Sequence, residues 1–412
     1  MSGFGFDTLA LLVVVGLVGP LLASVPHLRV PVIVGELAAG IVIGRTGFRL
    51  VDDQNPTFAL LANVGFALVM FVVGTHVPVR DTALRSSIPW ALARAALIGA
   101  VAAGLGVGVA AGFGTGHAAV YAVLMASSSA ALVLPVIDGL GLKGPPVLSV
   151  TTQVAIADAA CIVLLPLVID PSRAARAAIG AAAVAGCAVV AFFILRAAER
   201  SGWRKRMHDY SEDHRFALEL RISLMVLFAL AALAVSTHVS VMLAGFALGL
   251  VIAAIGEPRR LARQLFGITE GFFGPLFFVW LGASLQVRDL GRDPRLILLG
   301  VALGAGAIAA HASGAILKQP VMLAVLAAAQ LGVPVAAATI GTQNHLLRAG
   351  EPAALMLGAL ITITATSIAG NLSARMQKPA PQTATEQGAD HQETRERPET
   401  SEKPEKPHGP ER

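Results

Sequence analysis

The sequence predicts an all-α polytopic membrane protein with about thirteen transmembrane helices. Of its 412 residues, 55% are hydrophobic and 14% are charged, whereas about a quarter of the residues of a soluble protein carry a charge. Apolar stretches of roughly 20 residues, the length of helix that crosses a bilayer core of about 30 Å, alternate with short polar connections. This pattern excludes the short alternating segments of a transmembrane β-barrel.

A window of about 19 residues separates the apolar spans in chain order. The spans of the first half are 6–25, 30–43, 57–75, 88–113, 118–137, 146–169 and 174–195. The spans of the second half are 216–235, 239–255, 266–284, 296–317, 321–341 and 353–372. We therefore expect one membrane domain over residues 1–376, with halves of about 1–195 and 216–376 joined by a polar connection at 196–215.

The distribution of positive charge predicts how the chain is oriented. Basic residues concentrate in the 196–215 connection and in the loop after the ninth span, which holds Arg259, Arg260 and Arg263. Cytoplasmic loops are enriched in Lys and Arg, so we expect both loops in the cytoplasm and the N-terminus outside a cell membrane. This bias explains the net charge of +5 without a nucleic-acid partner. Residues 377–412 are too polar to form a core and predict a disordered cytoplasmic tail.

Two spans contain residues that interrupt a helix near the middle of the membrane. The residues in the fifth span are Ser127, Ser128, Ser129 and Pro135, and those in the twelfth are Gln330, Gly332 and Pro334. Proline removes a backbone donor and clashes with the preceding turn. In either span alone a simple kink is an open alternative. Spans that are seven apart run in opposite directions, however, so the pair predicts inverted repeats whose discontinuous helices meet near the membrane midplane.

Polar side chains inside the apolar spans are the candidate functional residues. Asp158 stands within V-A-I-A-D-A-A-C, and burying such a carboxylate costs about 2.5 to 3.5 kcal/mol, so it usually serves an ion or proton pathway. Pairing with an interior cation or hydroxyl is the structural alternative. The serines at 127–129 either supply hydroxyl ligands or bond back to helix carbonyls. His311 is either a packing residue or a titrating partner of the site.

The remaining polar residues predict no enzyme. Glu36 falls where snorkelling or local pairing explains it, and Arg94 falls where snorkelling does. Cys161 and Cys187 lie in apolar spans and behave as small apolar residues. No nucleophile–base pair and no metal-ligand spacing stands out, so the sequence predicts neither catalysis nor a cofactor.

Four segments follow one another in the order of known family signatures. They are R-V-P-V-I-V-G-E-L-A-A-G-I-V-I-G at 29–44, L-A-N-V-G-F-A-L-V-M-F-V-V-G at 61–74, S-S-S-A-A-L-V-L at 127–134 and P-L-F-F-V-W-L-G-A-S-L at 275–285. Together they resemble the monovalent cation:proton antiporter-2 family over nearly all of the chain before the tail. The resemblance implies a scaffold that forms a homodimer and a mobile core with two crossed, discontinuous helices.

The resemblance also assigns roles to single positions. Asp158 falls at the ion-binding aspartate of the family, and Ala157 stands where relatives commonly have Asp, Asn or Gln. His311 falls near the family's membrane-embedded Lys or Arg. Potassium-efflux relatives have Gln-x-Gly-Glu where this chain has Gln330, Gly332 and Val333, so that carboxylate is absent here.

The expected function is exchange of a monovalent cation, Na⁺ or K⁺, for H⁺ across the lipid bilayer. Asp158 would bind either the cation or the proton, with the serines at 127–129 as further ligands and His311 and Gln330 as possible partners. A single acid beside Ala157 favours one-for-one exchange, and a second proton at His311 is the alternative. Two other classes stay open: a channel-like or sensory membrane protein, and an organic-anion transporter on a related inverted-repeat fold.

Overall fold

The chain is a succession of helices joined by short connections. The structure, a computed structural model, describes residues 4–25, 32–76, 80, 82–203, 206–207, 210, 214, 216–237, 239–256, 259–285, 287–343 and 346–377. The first helices are α1 Phe6–Gly16, α2 Val18–Ala23, α3 Val32–Ile43, α4 Pro56–His76, α5 Thr82–Phe113, α6 Ala118–Ala126, α7 Ala130–Gly139, α8 Pro145–Ile169 and α9 Ala174–Arg200. The later helices are α10 Leu218–Ser236, α11 Val241–Ile255, α12 Arg259–Ile268, α13 Gly274–Ser284, α14 Val287–Arg292, α15 Pro294–Ala312, α16 Val321–Leu326, α17 Gly332–Gln343 and α18 Glu351–Gln377.

The prediction of an all-α multi-pass membrane protein is confirmed. Within the described ranges, ten helical stretches are long and apolar enough to cross a bilayer, three shorter apolar helices accompany them, and no strand occurs. The predicted span at 266–284 combines the end of α12, a π-helical turn at Thr269–Phe273 and α13. The predicted tail beyond residue 377 and parts of the 196–215 connection lie outside the described residues.

The helices form two groups that pack mainly within themselves. We call α5–α8 together with α15–α18 the core, and α1–α4 together with α10–α13 the scaffold. Helix α9 packs against α8 of the core and α11 of the scaffold, so it joins the two groups as well as the two halves of the chain.

Glycines bring the scaffold helices into backbone contact. A Cβ placed on Gly245 of α11 would lie 2.2 Å from the carbonyl oxygen of Ala67 on α4, and one on Gly282 of α13 would lie 2.2 Å from that of Leu37 on α3. Such close packing is needed because lipid supplies no hydrophobic force between helices. Helices α4 and α11 are the third and ninth spans, and α3 and α13 are the second and tenth. An inverted repeat that relates spans seven apart places the third span on the tenth and the second on the ninth, so it relates one glycine-packed pair to the other.

The two discontinuous helices run in opposite directions, as predicted. One consists of α6 and α7, and the other of α16 and α17. Glu351, which begins α18 just after α17, accepts hydrogen bonds from Tyr121 and from His117 at the start of α6. The end of the second discontinuous helix therefore lies on the same side of the membrane as the beginning of the first.

Candidate functional site

The first interruption is the serine segment Ser127, Ser128 and Ser129. Ser127 and Ser129 have extended backbone conformations between α6 and α7. The Ser127 hydroxyl donates to the carbonyl of Leu124 over 2.7 Å, and such local side-chain bonds compete with continuation of a helix. Pro135 does not lie at this interruption. It is exposed within α7, which continues through it with the loss of one backbone donor.

The second interruption is residues 327–331, between α16 and α17. Gly332 is the first residue of α17 and Pro334 is the third. Proline is tolerated in a first turn, where the backbone N–H has no partner within the helix. Pro334 therefore begins the second half-helix rather than kinking a continuous one. A Cβ on Gly332 would lie 2.7 Å from Sδ of Met242 on α11, so this position is where the core meets the scaffold.

Reciprocal hydrogen bonds hold the two interruptions against each other. The Ser128 hydroxyl lies 2.8 Å from the carbonyl oxygen of Ala327, just after α16, and donates to it in the arrangement that the structure records. In return, Nε2 of Gln330 donates to the carbonyl oxygen of Leu124, near the end of α6, over 2.6 Å. Ser128 thus provides a donor to the carbonyl that follows the end of α16. Gln330 adds a bond between the two segments at the Leu124 carbonyl, which also accepts from the N–H and the hydroxyl of Ser127. Four half-helix ends meet at this point, which we call the crossing.

Asp158 reaches the crossing from α8. Its side chain is buried, with 2% exposure, and its Oδ2 accepts a hydrogen bond of 2.9 Å from the backbone N–H of Ala130, the first residue of α7. A carboxylate at a helix N-terminus is stabilised by the free N–H groups and by the helix dipole. Ala157 is buried beside it and adds no second polar group.

Several oxygens at the crossing have unused acceptor capacity. Within the described chain no hydrogen bond reaches Oδ1 of Asp158, Oγ of Ser129 or Oε1 of Gln330. The described residues contain no cluster of three His, Cys, Asp or Glu side chains that could hold a metal ion. One carboxylate with neutral oxygens suits a cation of single charge, because sites for divalent ions gather more charge and more ligands.

His311 lies next to the same interruption. Its ring is fully buried, with Nε2 3.1 Å from Oγ of Ser128 and Nδ1 3.0 Å from the carbonyl oxygen of Ala307. The structure therefore brings the serine segment, Gln330, Asp158 and His311 together at one place. Gly332 and Pro334 begin the adjoining half-helix α17, and Pro135 lies apart.

Sequence reasoning missed the burial of Glu36 and Arg94, which it explained by snorkelling or local pairing. Arg94 is only 9% exposed, and its guanidinium donates to Oγ of Ser149 over 2.7 Å and to the carbonyl of Leu317 over 3.0 Å, so it ties α5 to α8 rather than snorkelling. Glu36 is 2% exposed within α3, and no ion pair or hydrogen bond from the described residues reaches it. The absence of Lys and Arg from V-I-V-G-E-L-A-A-G-I-V-I was the available signal.

Two cavities separate the scaffold from the core on opposite sides of the crossing. The first, of about 900 Å³, is lined by α7 and α18 and by Ala329 of the second interruption, and it extends to Arg375 near the end of α18. The second, of about 1000 Å³, lies between α4 and α17 and extends to Asp170, just after α8. Because successive spans reverse direction, the ends of α7 and α8 lie on opposite sides of the membrane.

The chain resembles known transporters along most of its length. Residues 11–372 match the family described as "Sodium/hydrogen exchanger, transmembrane". YjbQ of Bacillus subtilis, whose name proposes a Na(+)/H(+) antiporter, is 24% identical over 390 aligned residues, and the match covers 89% of this chain and 63% of YjbQ. The Na(+)/H(+) antiporter NhaS5 of Synechocystis is 26% identical over 302 residues, which are 71% of this chain and 42% of NhaS5. The chain thus spans less than two thirds of either relative.

A solved structure has the same fold. The sodium proton antiporter MjNhaP1 of Methanocaldococcus jannaschii superposes with a TM-score of 0.63 at 15% identity, over 90% of this chain and 96% of that one. At this identity the likeness concerns the fold alone. It agrees with the helical, multi-pass architecture described above.

Proposed function

The chain belongs to the sodium/hydrogen exchanger family, and from this premise we propose that it is a secondary antiporter that exchanges a monovalent cation, Na⁺ or K⁺, for H⁺. The observation that carries the proposal is the buried Asp158 carboxylate at the crossing, bonded to the first N–H of α7. Asp158 binds the cation and the proton in turn, because one carboxylate cannot hold both. The names of the relatives favour Na⁺ as the cation.

The cavities support transport by alternating access. Each lies between scaffold and core, and each is lined by residues near one of the interruptions, such as Ala329 in the first and Val335 in the second. A small displacement of the core would widen one cavity and narrow the other. Asp158, which lines neither, would then meet one compartment at a time.

The charge of the crossing favours a cation over the organic-anion alternative. The charged side chain that bonds to the start of α7 is the Asp158 carboxylate, whereas an anion would favour Arg or Lys at the half-helix ends. Arg94, the buried cation described above, bonds to Ser149 and Leu317 instead. The homodimer, the outward N-terminus and the boundary of the membrane domain at residue 376 stay predictions.

Proton flux in proteoliposomes tests the proposal. Gradients of Na⁺, K⁺, Li⁺ and, as a control, choline are imposed in turn while a pH-sensitive dye reports the internal pH. We expect Na⁺ or K⁺ to drive proton movement in the opposite direction, and choline to drive none. Cation movement without a counterflow of protons would support the channel-like alternative and refute the antiporter.

A further inference from the structure

The polar contacts of His311 and Ser128 require more hydrogen atoms than the neutral groups hold. Nδ1 of His311 lies 3.0 Å from the carbonyl oxygen of Ala307, Nε2 lies 3.1 Å from Oγ of Ser128, and that Oγ lies 2.8 Å from the carbonyl oxygen of Ala327. A carbonyl only accepts, so Nδ1 carries a hydrogen. The serine hydroxyl has one hydrogen and can give it either to Nε2 or to Ala327.

The direction of the Ser128 hydroxyl therefore follows the protonation of His311. In the neutral ring, Nε2 has a lone pair and accepts the hydroxyl hydrogen, so the Ala327 carbonyl loses that donor. In the imidazolium, Nε2–H donates to Oγ of Ser128, and the hydroxyl hydrogen turns to Ala327. All three contacts are hydrogen bonds only in this second arrangement.

The Ala327 carbonyl is suited to bind a cation. Ala327 follows the last residue of α16, so its oxygen lies at the negative end of a half-helix, and such carbonyls coordinate cations in discontinuous transporter helices. Oε1 of Gln330, on the same segment, also has acceptor capacity. Whether Ala327 is available depends on Ser128.

We propose that Ser128 is a switch that offers the Ala327 carbonyl to the transported cation only while His311 is neutral. This rests on the antiport function proposed above. A proton on His311 occupies the Ala327 carbonyl through Ser128 and in this way opposes the cation. His311 thus carries a second proton, besides the one on Asp158, taken from water on one side and returned to water on the other. Each cycle then moves net charge, unlike one-for-one exchange.

No other charged group takes part in these contacts. The described titratable side chains on the helices packed against α15 are Arg94 on α5, Tyr121 on α6, Arg288 and Arg292 on α14, and Glu351 and Arg375 on α18. No hydrogen bond or ion pair of the described residues joins any of them to His311. Its described polar partners are Ser128 and Ala307.

Two serines provide a matched pair of variants. Ser128→Ala removes the switch, whereas Ser313→Ala removes a hydroxyl two residues from His311 that donates to the carbonyl of Ala310. The KM for the cation is measured across a pH series in proteoliposomes, and the transport current on solid-supported membranes. We expect the KM of the wild type and of Ser313→Ala to rise about tenfold per pH unit of acidification for each of two competing protons.

Three variants test whether the proton on His311 is coupled to cation binding through Ser128, and they also control for misfolding. In Ser128→Ala and His311→Gln we expect exchange to persist, with a KM that rises as for one competing proton. Both variants should also lose the sustained current, because the second proton is no longer coupled to the cation. Ser128→Thr keeps a hydroxyl and should retain the wild-type pH dependence. If Ser128→Ala does not fold, as judged by size-exclusion chromatography, Ser128→Thr and His311→Gln decide the question.

The failures are distinguishable. Wild-type pH dependence of KM in Ser128→Ala or His311→Gln, or an equal loss in Ser313→Ala, would overturn the switch. Electroneutral exchange by the wild type would overturn the second proton. Absence of any cation-driven proton flux in the wild type would instead refute the proposed function.

Discussion

The Asp158 carboxylate has a structural contact as well as its proposed chemical role. Its Oδ2 accepts the first N–H of α7 and so caps that half-helix, while Oδ1 has no partner among the described residues. Substitution can therefore separate the capping role of the side chain from its negative charge. Asparagine keeps an oxygen for the cap and loses the charge, and alanine loses both.

We expect Asp158→Asn to abolish exchange in the proteoliposome assay while leaving the thermal stability in detergent near that of the wild type. Asp158→Ala should abolish exchange and also lower the free energy of unfolding by about 1 kcal/mol, the usual cost of losing a cap. Asp138→Asn, on the exposed part of α7, is the matched control and should transport normally. Cation-dependent proton flux in Asp158→Asn would contradict the assignment of the site.

At the scale of elements, the interruptions are held open by bonds between the two helices. Ser128 and Gln330 each reach across to a carbonyl of the other discontinuous helix. The N–H of Gln330 bonds in addition to Oγ1 of Thr362 on α18, over 3.2 Å. Pro334 lies in the first turn of α17, where it costs no hydrogen bond. The polar bridges therefore account for the geometry better than the proline does.

The comparison of Pro334→Ala with Gln330→Leu tests this view. We expect Pro334→Ala to transport at the wild-type rate with stability changed by less than about 0.5 kcal/mol. Gln330→Leu removes the bond from the second segment to Leu124, whose carbonyl keeps only the N–H and the hydroxyl of Ser127 in its own segment. This variant should therefore cost about 1 kcal/mol and impair exchange. Thermal unfolding in detergent and proton flux measure the two effects. The reverse order of effects would show that the proline maintains the break.

At the scale of the whole molecule, the cavities between core and scaffold open in opposite directions. The first reaches the membrane side at which α7 and α18 end, and the second reaches the side at which α8 and α17 end. The positive-inside prediction makes the first side cytoplasmic. Orientation and cavity access can be measured together by cysteine labelling.

In a background with Cys161 and Cys187 replaced by alanine, we expect Val136→Cys to react with a membrane-impermeant maleimide from the cytoplasmic side only. Ala336→Cys, in the second cavity, should react from the outside only. Leu164→Cys, on an exposed part of α8 that faces neither cavity, is the control and should react from neither side because lipid covers it. Intact and inside-out vesicles provide the two sides. Labelling of both cavity residues from the same side would contradict the arrangement.

The sequence by itself determined the class of the protein and the order of its apolar spans, and it singled out Asp158 as the candidate acid. These properties depend on the local chain, because a bilayer requires about 20 apolar residues per helix and makes a buried carboxylate costly wherever it stands. Asp158 and the serines at 127–129 could therefore be identified without a fold. The inverted orientation of the two interrupted spans followed from counting.

Only the tertiary structure decided which atoms meet at the crossing. The bond from Ala130 to Asp158, the link from Ser128 to His311 and Ala327, and the burial of Glu36 and Arg94 join or enclose residues of different helices. Such contacts depend on the packing and rotation of helices that are far apart in the chain, and periodicity within one segment carries no information about them. The two prolines were visible in the sequence as helix breakers, but their positions within the helices were not. Only the three-dimensional location of the two interruptions placed Pro135 inside the half-helix α7 and Pro334 in the first turn of α17.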